Sequence, residues 1–225
     1  MLRSADRFDC AAAGPSMKKI FVTGTDTGVG KTVVSACLAL AWRAGYWKPV
    51  QTGMVTGDDD TDTVVTLAAL PAAHVYAPVY ALQAPLSPHA AAELEGIGIT
   101  LDAITLPQTP HPLVVEGAGG LFVPLNDRDF MIDLMAKLAL PVLLVARSTL
   151  GTINHTLLSL AALRSRGLAI AGVVLNGPPN AGNRTAIERF GHVRVLAELP
   201  RVDPLDGAAV EGLCALIPPL REIAG

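Results

Sequence analysis

Residues Ile20–Thr32 read IFVTGTDTGVGKT: a short apolar run, then a Gly- and Thr-rich loop ending in Gly30-Lys31-Thr32. Ile20, Phe21 and Val22 suit a buried strand, and the loop after them is predicted to open a helix near Lys31. Strand, loop and helix in that order make a phosphate-binding loop. The backbone N–H groups of Asp26 to Lys31 can curl around a phosphate at a helix N-terminus, where donors lack intrahelical partners and the macrodipole is positive. Lys31 is expected to hold the outer phosphates, and the Thr32 hydroxyl to take a place on Mg2+. The pattern is a variant. Counting back from Gly30-Lys31, the standard first glycine falls at Thr25, with Gly24 one residue earlier.

A chain of 225 residues fits one α/β domain with a sizeable core. Its 51% hydrophobic content is mostly Ala, Leu and Val, in runs broken before ~18 residues, so no transmembrane helix is expected. A net charge of −3 with interspersed signs carries no footprint for nucleic acid. The expected partner is a small molecule. Cys10, Cys37 and Cys214 are widely spaced, with no CxxC and no His at metal-ligand spacing, which points to a reducing cytoplasm. Residues 1–16, MLRSADRFDCAAAGPS, lack the apolar core of a secretory signal. They are expected to be a disordered extension, with Met17 an equally plausible start and residues 17–225 forming the domain.

Further strands are predicted at Tyr46–Val50, Leu113–Glu116, Pro141–Ala146, Gly172–Asn176 and Val193–Ala197. Helices are predicted at Lys31–Ala44, Thr61–Leu70, Pro88–Leu94, Phe130–Leu138, Thr152–Arg166, Gly182–Phe190 and from Asp206 onward. Strands alternating with helices imply a doubly wound, mostly parallel sheet covered on both faces. No internal repeat is visible, and Pro71–Pro110 resists assignment. Ligands of such sheets bind beyond the carboxyl ends of the strands, so the residues there are the ones to question.

The second strand ends in YWKPVQTG, Tyr46–Gly53. Lys48 there could neutralise a phosphate or an anionic intermediate, with the Thr52 hydroxyl four residues on, or could simply reach solvent. Asp58-Asp59-Asp60-Thr61-Asp62 opens a helix; most of these acids must be caps, but Asp60 or Asp62 could join Mg2+. Glu116, ending a buried strand before Gly117-Ala118-Gly119-Gly120, must be paired or bind metal, and fits as the Mg2+ partner of Thr32. The glycines would let backbone approach phosphate or substrate closely. Asn176 could read the N6/N7 edge of adenine, although Asn176-Gly177 is equally a turn signal. The loop from Leu150 to His155 enters a helix and could take a carboxylate. His89 in Ser87-Pro88-His89, like His155, is more simply a capping or packing residue.

Taken in order, GTDTGVGKT, YWKPVQTG, the acidic run, SPH, VEGAGG, GTINH and GVVLN resemble dethiobiotin synthetase from about Ile20 to Pro200. The phosphate loop alone is shared by many nucleotide enzymes; KPVQTG, VEGAGG and GTINH are far more selective. The resemblance implies a P-loop NTPase-like fold and ATP- and Mg2+-dependent closure of a ureido ring on 7,8-diaminopelargonic acid with CO2. It implies Lys48 and Lys31 as catalytic lysines. The nucleotide contacts implied are Thr27, Gly28, Val29, Gly30, Lys31, Thr32 and Val33, then Asp60, Glu116, Gly117, Ala118 and Gly119, then Asn176, Gly177, Pro200, Arg201 and Val202. Thr32, Asp60 and Glu116 match the Mg2+ positions, Asp60 being preferred to Asp62 by ungapped alignment of GDDD. Thr52 and Gly119 would touch the substrate, and Gly151 and Asn154 would reach its carboxylate across a homodimer interface. Two departures stand out: Gly28, where some members carry Glu, and a short link between the first helix and Lys48. An amidoligase of the cobyrinic acid type would carry an added glutaminase domain. A chromosome-partitioning ATPase switch would place a lysine where this chain has Asp26.

Overall fold

The computed structural model describes residues 19–57 and 59–223; the extension expected over residues 1–16 lies outside them. In chain order the strands and helices are β1 (Lys19–Gly24), α1 (Lys31–Trp42), β2 (Gly45–Trp47), β3 (Val50–Gln51), α2 (Asp60–Ala68), β4 (Val75–Tyr76), β5 (Tyr80–Ala81) and α3 (Pro88–Glu95). Then follow β6 (Leu113–Gly120), α4 (Met131–Leu138), β7 (Val142–Arg147), α5 (Thr152–Ser165), β8 (Ile170–Asn176), α6 (Ala181–Gly191), β9 (Val195–Leu199), α7 (Gly207–Cys214) and α8 (Leu220–Ile223). Seven strands form one sheet in the order β4-β2-β6-β1-β7-β8-β9. Every pairing in it is parallel. β1 is central, with earlier excursions on one side and later ones on the other, so its carboxyl end marks the crevice where the strand order reverses.

Alternation along the strands divides the core between two faces. Ile20, Val22, Tyr46, Val114, Leu143, Val145 and Val174 pack under α1, α2 and α7 through Val34, Leu38, Val64, Val210 and Leu213. Phe21, Trp47, Val115, Leu144, Leu175 and Val195 pack under α3, α4, α5 and α6 through Ala91, Ile132, Met135, Leu163 and Ile187. Strands apolar on both faces are what a parallel sheet sandwiched by helices requires. The doubly wound expectation therefore holds.

Several boundaries move for local reasons. α1 stops at Trp42 instead of Ala44, because Arg43 turns left-handed (φ 51°) and Ala44 N–H caps the Ala39 carbonyl at 2.9 Å. The strand expected over Tyr46–Val50 breaks at Lys48-Pro49. Proline has no N–H to donate to a ladder, and the chain resumes as β3, paired with β5 in a separate two-stranded sheet. β6 runs on past Glu116 to Gly120. There β1 and β6 pair Val22 with Glu116 and next Gly24 with Gly120, so β6 carries two extra residues, a bulge that Gly119 admits at φ 64°. The unassigned stretch from Pro71 to Pro110 holds two-residue strands β4 and β5, too short for any periodicity to show.

Candidate active site

The phosphate loop spans the gap between β1 and α1, and glycine is obligatory at both ends of it. A Cβ on Gly24 would lie 2.6 Å from the Asp26 carbonyl oxygen. This explains the variant pattern, since the glycine is needed where the chain doubles back under Val29 and Lys31. Gly30 has φ 93°, and a Cβ there would lie 1.9 Å from Asn176 Nδ2. Asn176, at the end of β8, donates that amide to the Val29 carbonyl at 3.0 Å. The loop is also fastened by Thr25 N–H to the Val145 carbonyl at 2.9 Å and by Arg147 to Asp26 at 2.5 Å. Asp26 in turn accepts the Thr27 N–H.

Five charged or hydroxyl side chains, Thr32, Tyr46, Lys48, Asp60 and Glu116, converge beneath the loop. Lys48, which follows β2, lies 2.6 Å from Asp60 Oδ2 and 3.2 Å from Glu116 Oε1. Thr32, in the first turn of α1, donates to Asp60 Oδ1 at 2.6 Å and approaches Glu116 Oε1 at 3.3 Å. Tyr46 donates its phenol to Glu116 Oε2 at 3.2 Å. Glu116 is completely buried. An unpaired carboxylate there would cost several kcal/mol or more, and its three partners account for its tolerance. Burial works to deprotonate Lys48, but Glu116 and then Asp60 outweigh it and hold its pKa above the ordinary lysine value. Burial likewise opposes ionisation of Asp60, yet Lys48 and Thr32 hold it below the usual carboxylate range. Lys31, by contrast, is pushed down chiefly by burial, with Glu116 pulling the other way and Lys48 adding to the depression. Its ammonium approaches the Asp26 carbonyl at 3.4 Å.

Thr32 Oγ1, Asp60 Oδ1 and Glu116 Oε1 form an oxygen-only set, which suits a hard cation such as Mg2+ that takes its other ligands from water and phosphates. Among the described residues no three His, Cys, Asp or Glu side chains gather as a self-sufficient metal site. A cation here would need the phosphates of a nucleotide to complete its shell. Asp59 is the N-cap of α2, accepting Thr61 N–H at 2.7 Å, while Asp62 is exposed; among the described acids of the run, Asp60 is the one at the centre, and Asp58 lies outside the described residues.

These groups open into a crevice of about 740 Å³ whose walls include Thr27, Gly28, Gly30, Lys31, Thr32, Val33, Lys48, Thr52, Asp60, Glu116, Ala118 and Gly119. Other expected residues lie elsewhere. Val29 is buried behind the loop. Gly117 faces the opposite side of the sheet, where a Cβ would strike the Phe21 ring at 2.8 Å, because strand alternation separates it from Glu116 and Ala118. Asn176 and Gly177 pack against Gly30 and Ser148, respectively. Pro200, Arg201 and Val202 follow β9, whose Leu199 pairs with Asn176. Gly151 and Asn154 begin α5, exposed and outside this crevice. Sequence reasoning missed Gln51 and the wall Pro85-Leu86-Ser87-Pro88. The available signal was Ser87 before Pro88, a helix N-cap with proline at N1, which places that turn at a rim. It also missed Tyr46, whose spacing of two from Lys48 puts both side chains on one face. His89 Nδ1 meets Ser87 Oγ at 3.0 Å, a contact between side chains, and no side chain caps the N-terminus of α3.

Residues 18–209 match a family model described as an AAA domain. The chain is 57% identical over 204 residues to "Biotin biosynthesis bifunctional protein BioCD" of Bordetella avium, covering 91% of this chain and 44% of that protein. It is 54% identical over 197 residues to "ATP-dependent dethiobiotin synthetase BioD" of Paramagnetospirillum magneticum, covering 88% and 95%. A protein of the same description from Rhodopseudomonas palustris is 48% identical over 210 residues, covering 92% and 97%. The chain thus spans less than half the length of the bifunctional relative and nearly all of the other two.

Proposed function

The chain belongs to the ATP-dependent dethiobiotin synthetase family, and from that premise we propose that it closes the ureido ring of dethiobiotin from 7,8-diaminopelargonic acid, CO2 and ATP. This is C–N bond-forming ligase chemistry of biotin synthesis. The observation that carries the proposal is Lys48, buried and held as a cation between Asp60 and Glu116 in the crevice that Lys31 and Thr32 also line.

One amine of the substrate takes up CO2 and loses a proton to give a carbamate. A carbamate oxygen then attacks the γ-phosphorus of ATP, ADP departs, and a carbamic-phosphoric anhydride results. The second amine attacks the carbamoyl carbon and expels phosphate, closing the ring. Negative charge gathers wherever carbamate meets phosphate, so positioning and fixed cations are the protein's main contribution. Lys48 has three donors, two directed at Asp60 and Glu116; the third is directed to the carbamate. Lys31 stabilises the phosphoryl group in transfer. Thr32, Asp60 and Glu116 hold Mg2+, which when bound neutralises the phosphates. Thr52 and Gly119 border the substrate.

Asn176 gives one of its two amide N–H groups to the loop, and its oxygen can accept from the adenine N6 amine. Asn176→Ala should therefore lower the preference for ATP over GTP by about 10-fold or more, one lost base contact being worth ~1–3 kcal/mol. Unchanged discrimination in competition kinetics would assign the reading to backbone around Pro200–Val202. A homodimer, with Gly151 and Asn154 serving the partner's substrate, accords with the apolar exposure of Leu150, Leu158 and Phe122. The cytoplasm, where ATP is supplied and Cys37 and Cys214 stay as thiols, is the proposed compartment. No helix among the described residues is long and apolar enough to cross a membrane.

The deciding experiment measures ADP release with Mg2+-ATP and bicarbonate, with and without the diamine, alongside mass detection of dethiobiotin. Diamine-dependent ADP release matched by dethiobiotin is the expected result. ADP release indifferent to the diamine would favour a nucleotide switch instead.

A further inference from the structure

The two oxygens of Glu116 have different surroundings. Oε1 meets Thr32 Oγ1 at 3.3 Å and Lys48 Nζ at 3.2 Å, on the crevice side. Oε2 accepts the Tyr46 phenol at 3.2 Å. Tyr46 pairs with Val114 on the neighbouring strand, is fully buried, and lies outside the crevice wall. The terminal torsion of a glutamate is broad and nearly two-fold, so a carboxylate anchored on one side only can turn either oxygen, or both, toward a cation. Taking Thr32, Asp60 and Glu116 as the cation site, a reading on which this rests, we infer that Tyr46 is a positioning residue. It reserves Oε2 and presents Glu116 to the cation through Oε1 alone.

The phenol is fully buried and donates to Oε2 of Glu116. Lys48 and Asp60, the other charged groups at this end of β2, contact Oε1 of Glu116 or one another, and neither takes the place of the phenol at Oε2. Presentation of one oxygen leaves room in the cation's shell for phosphates and water, as a nucleotide-bound Mg2+ requires.

Tyr46→Phe deletes one oxygen and keeps the ring. Mg2+ titrated calorimetrically into the protein–ADP complex reads the site without turnover. The variant should bind Mg2+ about 10-fold more weakly, as loss of a group orienting a ligand does, while metal-free ADP binds within about two-fold of wild type. Equal Mg2+ affinity in variant and wild type, even with a lowered melting temperature, would make Tyr46 a purely structural phenol and overturn the inference. Absence of Mg2+ binding in wild type would instead remove the cation site itself. A second measurement needs no substitution at Tyr46. With 3-fluorotyrosine at the chain's three tyrosines, the Tyr46 fluorine resonance, assigned by elimination with Tyr76→Phe and Tyr80→Phe, should move when Mg2+ joins the ADP complex. A resonance that stays in place overturns the inference equally.

Discussion

Lys48→Gln is expected to lower dethiobiotin formation by about 10³-fold or more, the scale of removing a fixed electrostatic contact to charge that develops in the transition state. Glutamine keeps a donor within reach of Asp60 or Glu116 but supplies no charge. The ammonium it replaces contacts both carboxylates, at 2.6 and 3.2 Å, in a site where water contributes little screening. Two consequences separate this variant from one that is merely damaged. The carboxylates lose their internal counter-ion, so binding of Mg2+-ADP should hold or tighten. Turnover should fail at every pH, because no titration restores a cation at that position. Calorimetric binding of Mg2+-ADP together with dethiobiotin detection tests both. Normal turnover would remove Lys48 from the reaction. Lost nucleotide binding would show that its role is to keep Asp60 and Glu116 apart.

Gly30→Ala should weaken ATP binding by about 10²-fold, and its counterpart Gly28→Ala by far less. Both glycines sit in the left-handed region, at φ 93° and φ 70°, so alanine is strained at either position by about 1–2 kcal/mol. They differ in their surroundings. The new methyl at position 28 meets nothing within 4 Å, whereas at position 30 it would overlap Asn176 Nδ2 at 1.9 Å. Asn176 or the loop must move, and the hydrogen bond from the Asn176 amide to the Val29 carbonyl is lost. Strain and lost contact together reach about 3 kcal/mol, or about two decades in affinity. Calorimetric titration of ATP into the two variants checks the ranking. Equal affinities would mean that the clash at Asn176 is relieved without disturbing the loop.

Legible from the chain alone were the phosphate loop, the alternation of strands and helices, and the strand-end positions Lys48, Glu116 and Asn176. Each is local. A loop that binds phosphate through successive backbone donors must be contiguous, and a buried strand declares itself by an unbroken apolar run. The acid Glu116 after Val115, and the lysine after Trp47, are visible as polar residues where such a run ends.

Contacts between distant segments were of another kind, because the pairing register of adjacent strands decides them and a slip of one residue exchanges the faces. The pairing of Tyr46 with Val114 delivers the phenol to Glu116, and the same alternation turns Gly117 away from the crevice. The residue pattern left Asp60 level with Asp62, and only the family resemblance preferred it; α2 supplies the physical reason by bringing its carboxylate to Thr32 and Lys48, residues 28 and 12 positions earlier in the chain. Asn176 looked equally like a turn and a base reader; β8, lying beside β7 at the sheet's crevice end, set it against the phosphate loop. Local chemistry named the groups proposed to meet the nucleotide. Strand register and helix packing chose which of them share a partner, since those distances depend on segments that the chain brings together only on folding.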